Sequence, residues 1–240
     1  MDDFYVAAPG ESAPQVPQGP LLCDGRDMRI VHNAFLWGYQ QAPVLVRDVA
    51  PGDTERSAFV GRWLGDLDAT LHVHHEGEDQ LLWDKLEQRA PACALHVGQM
   101  RAQHAQVQEL LRQAAPMLVA WTRTADAEIG ESLATAYENL LGVLSNHLRR
   151  EVVEVVPVAE KVVSQQEWEQ LADHGLGAIP RSRLMPQLGM LLASTPAQER
   201  PGFVEGMPRA VRVMYRLFGR RQFEKQYRLL FPGVPVPRTP

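Results

Sequence analysis

The sequence predicts an all-α protein: an up-down-up-down four-helix bundle followed by a C-terminal region of short helices. Two observations carry this. Four long stretches repeat apolar residues at helical intervals, and short breaks containing Pro or Gly separate them. Four amphipathic helices of similar length on short connections bury their apolar stripes most simply against one another.

The first helix lies in "DGRDMRIVHNAFLWGYQQAPVLVRDV", where Met28, Val31, Phe35, Leu36 and Tyr39 fall on one side and Pro43 is expected to kink or end it. "APGD" is a turn, and Asp53 or Thr54 is placed to cap a second helix running to about Arg89. "RAPA" breaks the chain. A third helix starts near Pro91, a favoured first-turn residue, and runs to about Trp121, with Pro116 distorting its last turns. The fourth spans about Asp126 to Lys161, striped by Leu133, Tyr137, Leu140, Leu141, Leu144 and Leu148 and bent near Pro157. Beyond residue 162 the pattern shortens. Ser164 with Glu167 forms a capping box for a helix expected to close on Gly175, and "TPAQ" at Thr195 repeats a start signature. The division is therefore a mobile Pro-rich arm over 1–22, the bundle over 23–162 and a helical extension over 163–240.

A chain of 240 residues with 45% hydrophobic residues has material for a substantial core. The net charge of −5 argues against nucleic-acid binding by the molecule as a whole. The two cysteines, Cys23 and Cys93, lack metal-ligand spacing and suit a reducing compartment. The N-terminus lacks the basic start and apolar core of a secretory signal, and no apolar run approaches the roughly 20 residues of a membrane span. A cytoplasmic protein without membrane contact is the expectation.

Chemistry enters on the apolar stripes. His74 and Glu78 are four apart and project from one helix face, and His147 with Glu151 repeats the pair on the fourth helix. His32 on the first helix and His104 on the third stand among apolar neighbours. An unsatisfied polar group in the interior costs about 1–3 kcal/mol, and an unpaired charge more. A metal removes that penalty, because two carboxylates can bridge two cations while neutral imidazoles fill terminal positions. Surface i,i+4 hydrogen bonding explains one such pair; two pairs with His32 and His104 point to a metal centre.

"HHEGEDQLLW" and "NHLRREVVEVVPV" resemble the second- and fourth-helix signatures of the hemerythrin-like, or HHE cation-binding, family. The resemblance covers about residues 25–162. It implies two non-haem iron ions bridged by Glu78 and Glu151, with His32 and His74 serving one iron and His104 and His147 the other. Oxygen-carrying members present a second third-helix histidine four residues before the first, where this chain has Met100, a soft and weak donor for iron. His75 is a possible substitute, because some relatives recruit the residue directly after the second-helix histidine. It points about 100° from His74 on a helical wheel and is left open, while His72, about 160° away, reads as solvated. His96 sits about 12 Å along the axis from His104, too far to replace the missing donor.

Tyr39 and Tyr137 read as core residues within reach of proton or electron transfer. The C-terminal "PRAVRVMYRLFGRRQFEKQYRLLFPG" interleaves Arg209, Arg212, Arg216, Arg220, Arg221, Lys225 and Arg228 with aromatics, without a recognised nucleic-acid motif. It reads as an amphipathic helix pair whose aromatics dock on the acidic bundle while the arginines pair with its carboxylates or face water, rather than as a grip on nucleic acid or an acidic partner; a protein partner or a second copy is the contact expected through it. The expected function is binding and activation of dioxygen or peroxide, with a small-molecule substrate. A non-enzymatic sensor or carrier of dioxygen, nitric oxide or iron, signalling through the C-terminal helices, is the alternative.

Overall fold

A computed structural model describes residues 13–239, and among them there are helices and connecting segments but no strand. The chain divides into two compact units, the first ending at Gly175 and the second covering Leu176–Pro240.

The first unit is built on four long helices: α1 (Arg26–Arg47), α2 (Thr54–Leu81), α4 (Ala94–Thr124) and α5 (Ala127–Arg150). A short α3 (Trp83–Arg89) and a 3₁₀ turn, Pro91–Cys93, lie between α2 and α4. Helix α1 packs on α2 and α5, and α4 packs on the same two, which closes the predicted up-and-down ring. The starts are chemical: Asp53 Oδ1 accepts from the Arg56 N–H, and Asp126 Oδ1 accepts from the Ile129 N–H.

Several expected interruptions fall elsewhere. Pro43 and Pro116 lie inside α1 and α4, which continue to Arg47 and Thr124. Each proline removes one backbone hydrogen bond, and burial of Leu45 and Val46 beyond the first and of Leu118 and Trp121 beyond the second offsets that loss. The second helix does not reach Arg89 as one regular element, because the backbone is distorted at Leu82 (φ −113°, ψ −53°) between α2 and α3. The fourth widens into a π turn at Glu151–Val155 before α6 (Val156–Val162). Pro157 cannot donate to the carbonyl one turn back, and the extra residue is taken up just before it.

Of the arm expected over 1–22, residues 1–12 lie outside the described residues. Over 13–22 the backbone is held to α6: Lys161 Nζ donates to the Gly19 carbonyl at 2.6 Å, and the Leu22 N–H donates to the Glu160 carbonyl at 2.7 Å. Helix α7 (Gln165–Ala178) opens on the predicted capping box, with the Ser164 N–H donating to Glu167 Oε2 at 3.0 Å. It runs through Gly175 instead of closing there. One end of the bundle is sealed by an apolar cluster that includes Trp83, Cys93, Val97, Met100, Val155 and Trp168. Burial raises the Cys23 and Cys93 thiols to about 11, and both are free.

The second unit contains α8 (Arg181–Ser194), α9 (Arg200–Gly206), α10 (Arg209–Met214), a π turn at Tyr215–Gly219 and α11 (Arg220–Leu230). Thr195 does not start a helix; its Oγ1 donates backward to the Leu191 carbonyl at 2.7 Å and finishes α8. Helices α8 and α11 cross at Gly189, where a Cβ would stand 2.4 Å from Phe223 Cβ. The basic segment splits by face: Tyr215, Phe223 and Tyr227 are buried, while Arg216, Arg220, Arg221 and Arg228 are exposed. No described helix is long and apolar enough to cross a membrane.

Candidate metal centre

Each long helix interrupts its own buried stripe with polar residues at the same level of the bundle. The stripe reads Met28, His32, Phe35, Tyr39 on α1 and Leu71, His75, Glu78, Leu82 on and just past α2. On α4 it reads Val97, Met100, His104, Val107, and through α5 into the π turn Leu140, Leu144, His147, Glu151. All are spaced three or four apart, so the packing that buries leucine buries imidazole and carboxylate as well.

The result is two overlapping donor groups. His75, Glu78, His104 and His147 form one, and His32, His74 and Glu78 form the other, with ligand atoms in each group within 4.8 Å of one another. Glu78 belongs to both: its Oε1 lies 3.0 Å from His74 Nε2 and its Oε2 lies 3.3 Å from His104 Nε2. Glu151 stands on the facing helix with Oε2 at 3.7 Å from His32 Nε2 and 3.8 Å from His147 Nε2. Each carboxylate thus spans one imidazole from either group.

The outer nitrogens of three rings are tied down. His32 Nδ1 donates to the Leu148 carbonyl at 2.9 Å, His104 Nδ1 to Asp79 Oδ1 at 2.9 Å, and His147 Nδ1 to Gln103 Oε1 at 3.2 Å. Asp79 Oδ1 is itself held by the Trp83 indole N–H at 2.8 Å. A proton fixed on Nδ1 leaves the Nε2 lone pair facing inward, the form in which imidazole binds metal.

The inner atoms have no such partners. Both carboxylate oxygens of Glu78 and of Glu151, and Nε2 of His75, His104 and His147, are buried without a hydrogen bond; the approaches to Glu78 lack hydrogen-bond alignment. Each such atom costs about 1–3 kcal/mol while it has no partner. A bound cation would supply one. Donors about 2.1 Å from one metal ion, at right angles, sit about 3 Å apart, and His32 Nε2 and His74 Nε2 are separated by 3.0 Å. The donor set of imidazole and carboxylate suits iron, manganese or zinc.

Electrostatics match this arrangement at His32, His75 and His147 and oppose it at His104. Burial drives His32 down to about 3 and His75 and His147 well below the usual imidazole range, so these rings are neutral donors at physiological pH. Burial opposes the charge on His104 too, but Asp79 and Glu78 outweigh it and lift the ring to about 9. Burial and then the neighbouring Glu78 push Glu151 up, while the surrounding imidazoles overcome burial and hold Glu78 down. Without a cation the two facing carboxyls do not both ionise readily.

The six positions singled out by sequence, His32, His74, Glu78, His104, His147 and Glu151, come together here. His75, left open by the helical wheel, joins them: it is buried, and its ring stacks on that of His104 at 4.1 Å and 13°. The adjacent positions 74 and 75 thus fall in different groups. The signal was present in the spacing Leu71, His75, Glu78, Leu82. Met100 lies in the apolar cluster, His72 is exposed, and His96 is buried but belongs to neither donor group. Asp79 and Gln103 were not foreseen, since their roles depend on the register between helices.

A second polar cluster lies two turns away on α1 and α2. Asp68, half-buried overall, accepts from the Tyr39 hydroxyl at Oδ1 (2.9 Å) and from the Tyr137 hydroxyl at Oδ2 (2.8 Å), and both tyrosines are fully buried. Burial raises Asp68 from 3.8 to about 6. The folded state therefore holds this proton more tightly than the unfolded chain, and the resulting stability is present below about 4 and lost as pH rises through about 6. Asparagine cannot titrate. The unfolding free energy of the wild type relative to Asp68→Asn should fall by about 2–3 kcal/mol between pH 4 and pH 7 in urea titrations. A difference that stays constant or grows with pH contradicts the assignment.

The hemerythrin HHE cation-binding domain family matches residues 26–159, more than half of the 240-residue chain and a span that contains both donor groups. No curated protein and no solved structure matches the chain significantly. By the extent of that match, and with a buried His/Glu cluster able to hold metal at the level where its four long helices meet, the protein belongs to the hemerythrin HHE cation-binding family.

Proposed function

We propose that the protein is a non-haem di-iron protein that binds and activates dioxygen or peroxide for redox chemistry on a small molecule. The observation that supports it most is the orientation of the imidazoles: three rings tied outward through Nδ1 around two carboxylates that have no other partner. In this reading Glu78 and Glu151 bridge the two ions. His32 and His74 hold one, and His104, His147 and His75 hold the other, with His75 in place of the donor that Met100 does not provide.

Bound iron supplies one-electron redox steps and positions at which an oxygen ligand can be taken up. The chain supplies the setting. Asp79, Gln103 and the Leu148 carbonyl fix the rings and raise their basicity. Trp83 and Phe35, whose rings lie 5.6 Å from His104 and 5.2 Å from His74, exclude bulk water.

Protein purified after expression in iron-supplemented medium should carry about two irons per chain by elemental analysis. Absence of stoichiometric metal overturns the reading. Dioxygen added to the anaerobic, ferrous protein should then produce a transient absorption that decays. A long-lived, reversible adduct would assign the protein to the carriers instead.

A further inference from the structure

The Tyr39, Asp68 and Tyr137 cluster has no part in the metal site, and its geometry exceeds what a structural tie requires. Two phenols from different helices, α1 and α5, converge on one carboxylate of α2, one on each oxygen, with ring centroids 5.9 Å apart. A phenol hydrogen-bonded to a carboxylate can lose an electron without first becoming a cation, because its proton has somewhere to go.

The cluster is also aligned with the metal site. Tyr39 is two turns from His32 on α1, and Asp68 is two turns from His75 on α2, each about 10 Å along the axis. Phe35 lies one turn from Tyr39 on the same face, and its ring is 5.2 Å from that of His74. The intervening core residues, Leu71 and Leu144, are fully buried, which keeps water from the path.

We propose that Tyr39, Asp68 and Tyr137 form a redox relay that delivers one electron at a time to the metal centre, an inference that rests on the di-iron reading. Tyr39 gives up one electron and transfers its hydroxyl proton to Asp68 Oδ1, breaking the phenol O–H bond, forming a carboxylic acid and leaving a neutral phenoxyl radical. The electron acceptor is an oxidised iron of the centre, reduced by one unit. Tyr137 can then reduce Tyr39: one electron crosses between the rings while Asp68 returns its proton to Tyr39 and accepts another from Tyr137. A carboxylate takes only one proton, so the cluster holds one oxidising equivalent at a time. A small-molecule one-electron reductant, with the proton returned from Asp68, resets it.

The test is freeze-quench electron paramagnetic resonance on the full chain. One arm treats metal-free protein with the one-electron oxidant hexachloroiridate(IV), and the other treats iron-loaded, reduced protein with hydrogen peroxide. Both should give an organic radical whose signal narrows when the protein carries ring-deuterated tyrosine. Combining Tyr39→Phe with Tyr137→Phe should abolish it with the iron content unchanged. Asp68→Asn, which keeps the shape but takes no proton, should slow radical formation by roughly a hundred-fold, the low end of what a positioned base contributes.

If the double variant does not fold, the single variants decide, since each leaves one phenol on Asp68. An altered line shape in either supports the relay, and unchanged shape and yield in both overturn it. Radical in the chemical arm but not the iron arm also overturns delivery to the metal. Two bound irons with no radical on Tyr39 or Tyr137 sink the relay and leave the di-iron reading intact. Protein without iron overturns the di-iron reading, while the chemical arm still reports on the tyrosines.

Discussion

Glu78→Ala should leave the bundle with well under one iron per chain, the largest loss of metal expected from any single substitution. The reason is position: Glu78 belongs to both donor groups, and its oxygens come within 3.0 and 3.3 Å of their imidazoles, closer than Glu151 at 3.7 and 3.8 Å. Its removal deletes a donor from both ions and half of the negative charge that offsets them. His74→Ala should cost about one ion, because it serves a single group. Asp79→Asn should retain both ions with affinity about 10–100-fold weaker, since Asp79 acts on His104 from outside the donor set. Elemental analysis with a metal-competition titration separates the three, and a Glu78→Ala protein that keeps two irons contradicts the shared-carboxylate arrangement.

Chelating the metal from the intact protein should lower its Tm by roughly 10 °C, and anaerobic ferrous iron should restore it. An ion present at about a thousand times its Kd stabilises the folded state by about 4 kcal/mol, and in a chain of this size each kcal/mol is worth about 2–4 °C. The structural basis is the set of inward-facing oxygens and nitrogens that have no hydrogen bond of their own. In the metal-free bundle they are a standing cost. Differential scanning calorimetry of loaded, stripped and reconstituted protein measures it, and identical unfolding temperatures in all three would show that these atoms are satisfied in another way.

The helices and the polar residues that cluster between them were legible in the sequence for one shared reason. Burial on a helix is periodic, and His32, His74, His104, His147 and the two glutamates fall on or beside a stripe where a polar residue needs an explanation. What was not legible depended on relations between helices. His75 reads as ambiguous on its own helix, and only its stacking on His104 from α4 brings it to the cluster. Asp79 reaches His104 from α2 to α4, and Gln103 reaches His147 from α4 to α5, and no local pattern encodes that register. Pro43 and Pro116 misled in the opposite direction, because a local rule about broken hydrogen bonds gave way to the burial of the residues beyond them. Leu82 departs from regular helix with no proline or glycine beside it, whereas the π turn at Glu151–Val155 stands just before Pro157.

Of the clustered side chains His74 is the most open to solvent, at 14% exposed against 4% for His104, 2% for His32 and 1% for Glu78. Under the proposed function, a small oxidant arriving from water would meet that rim before the more deeply buried imidazoles of α4 and α5. A bulkier residue in place of Phe35, whose ring lies 5.2 Å from that of His74, would crowd that edge without replacing any of the clustered side chains.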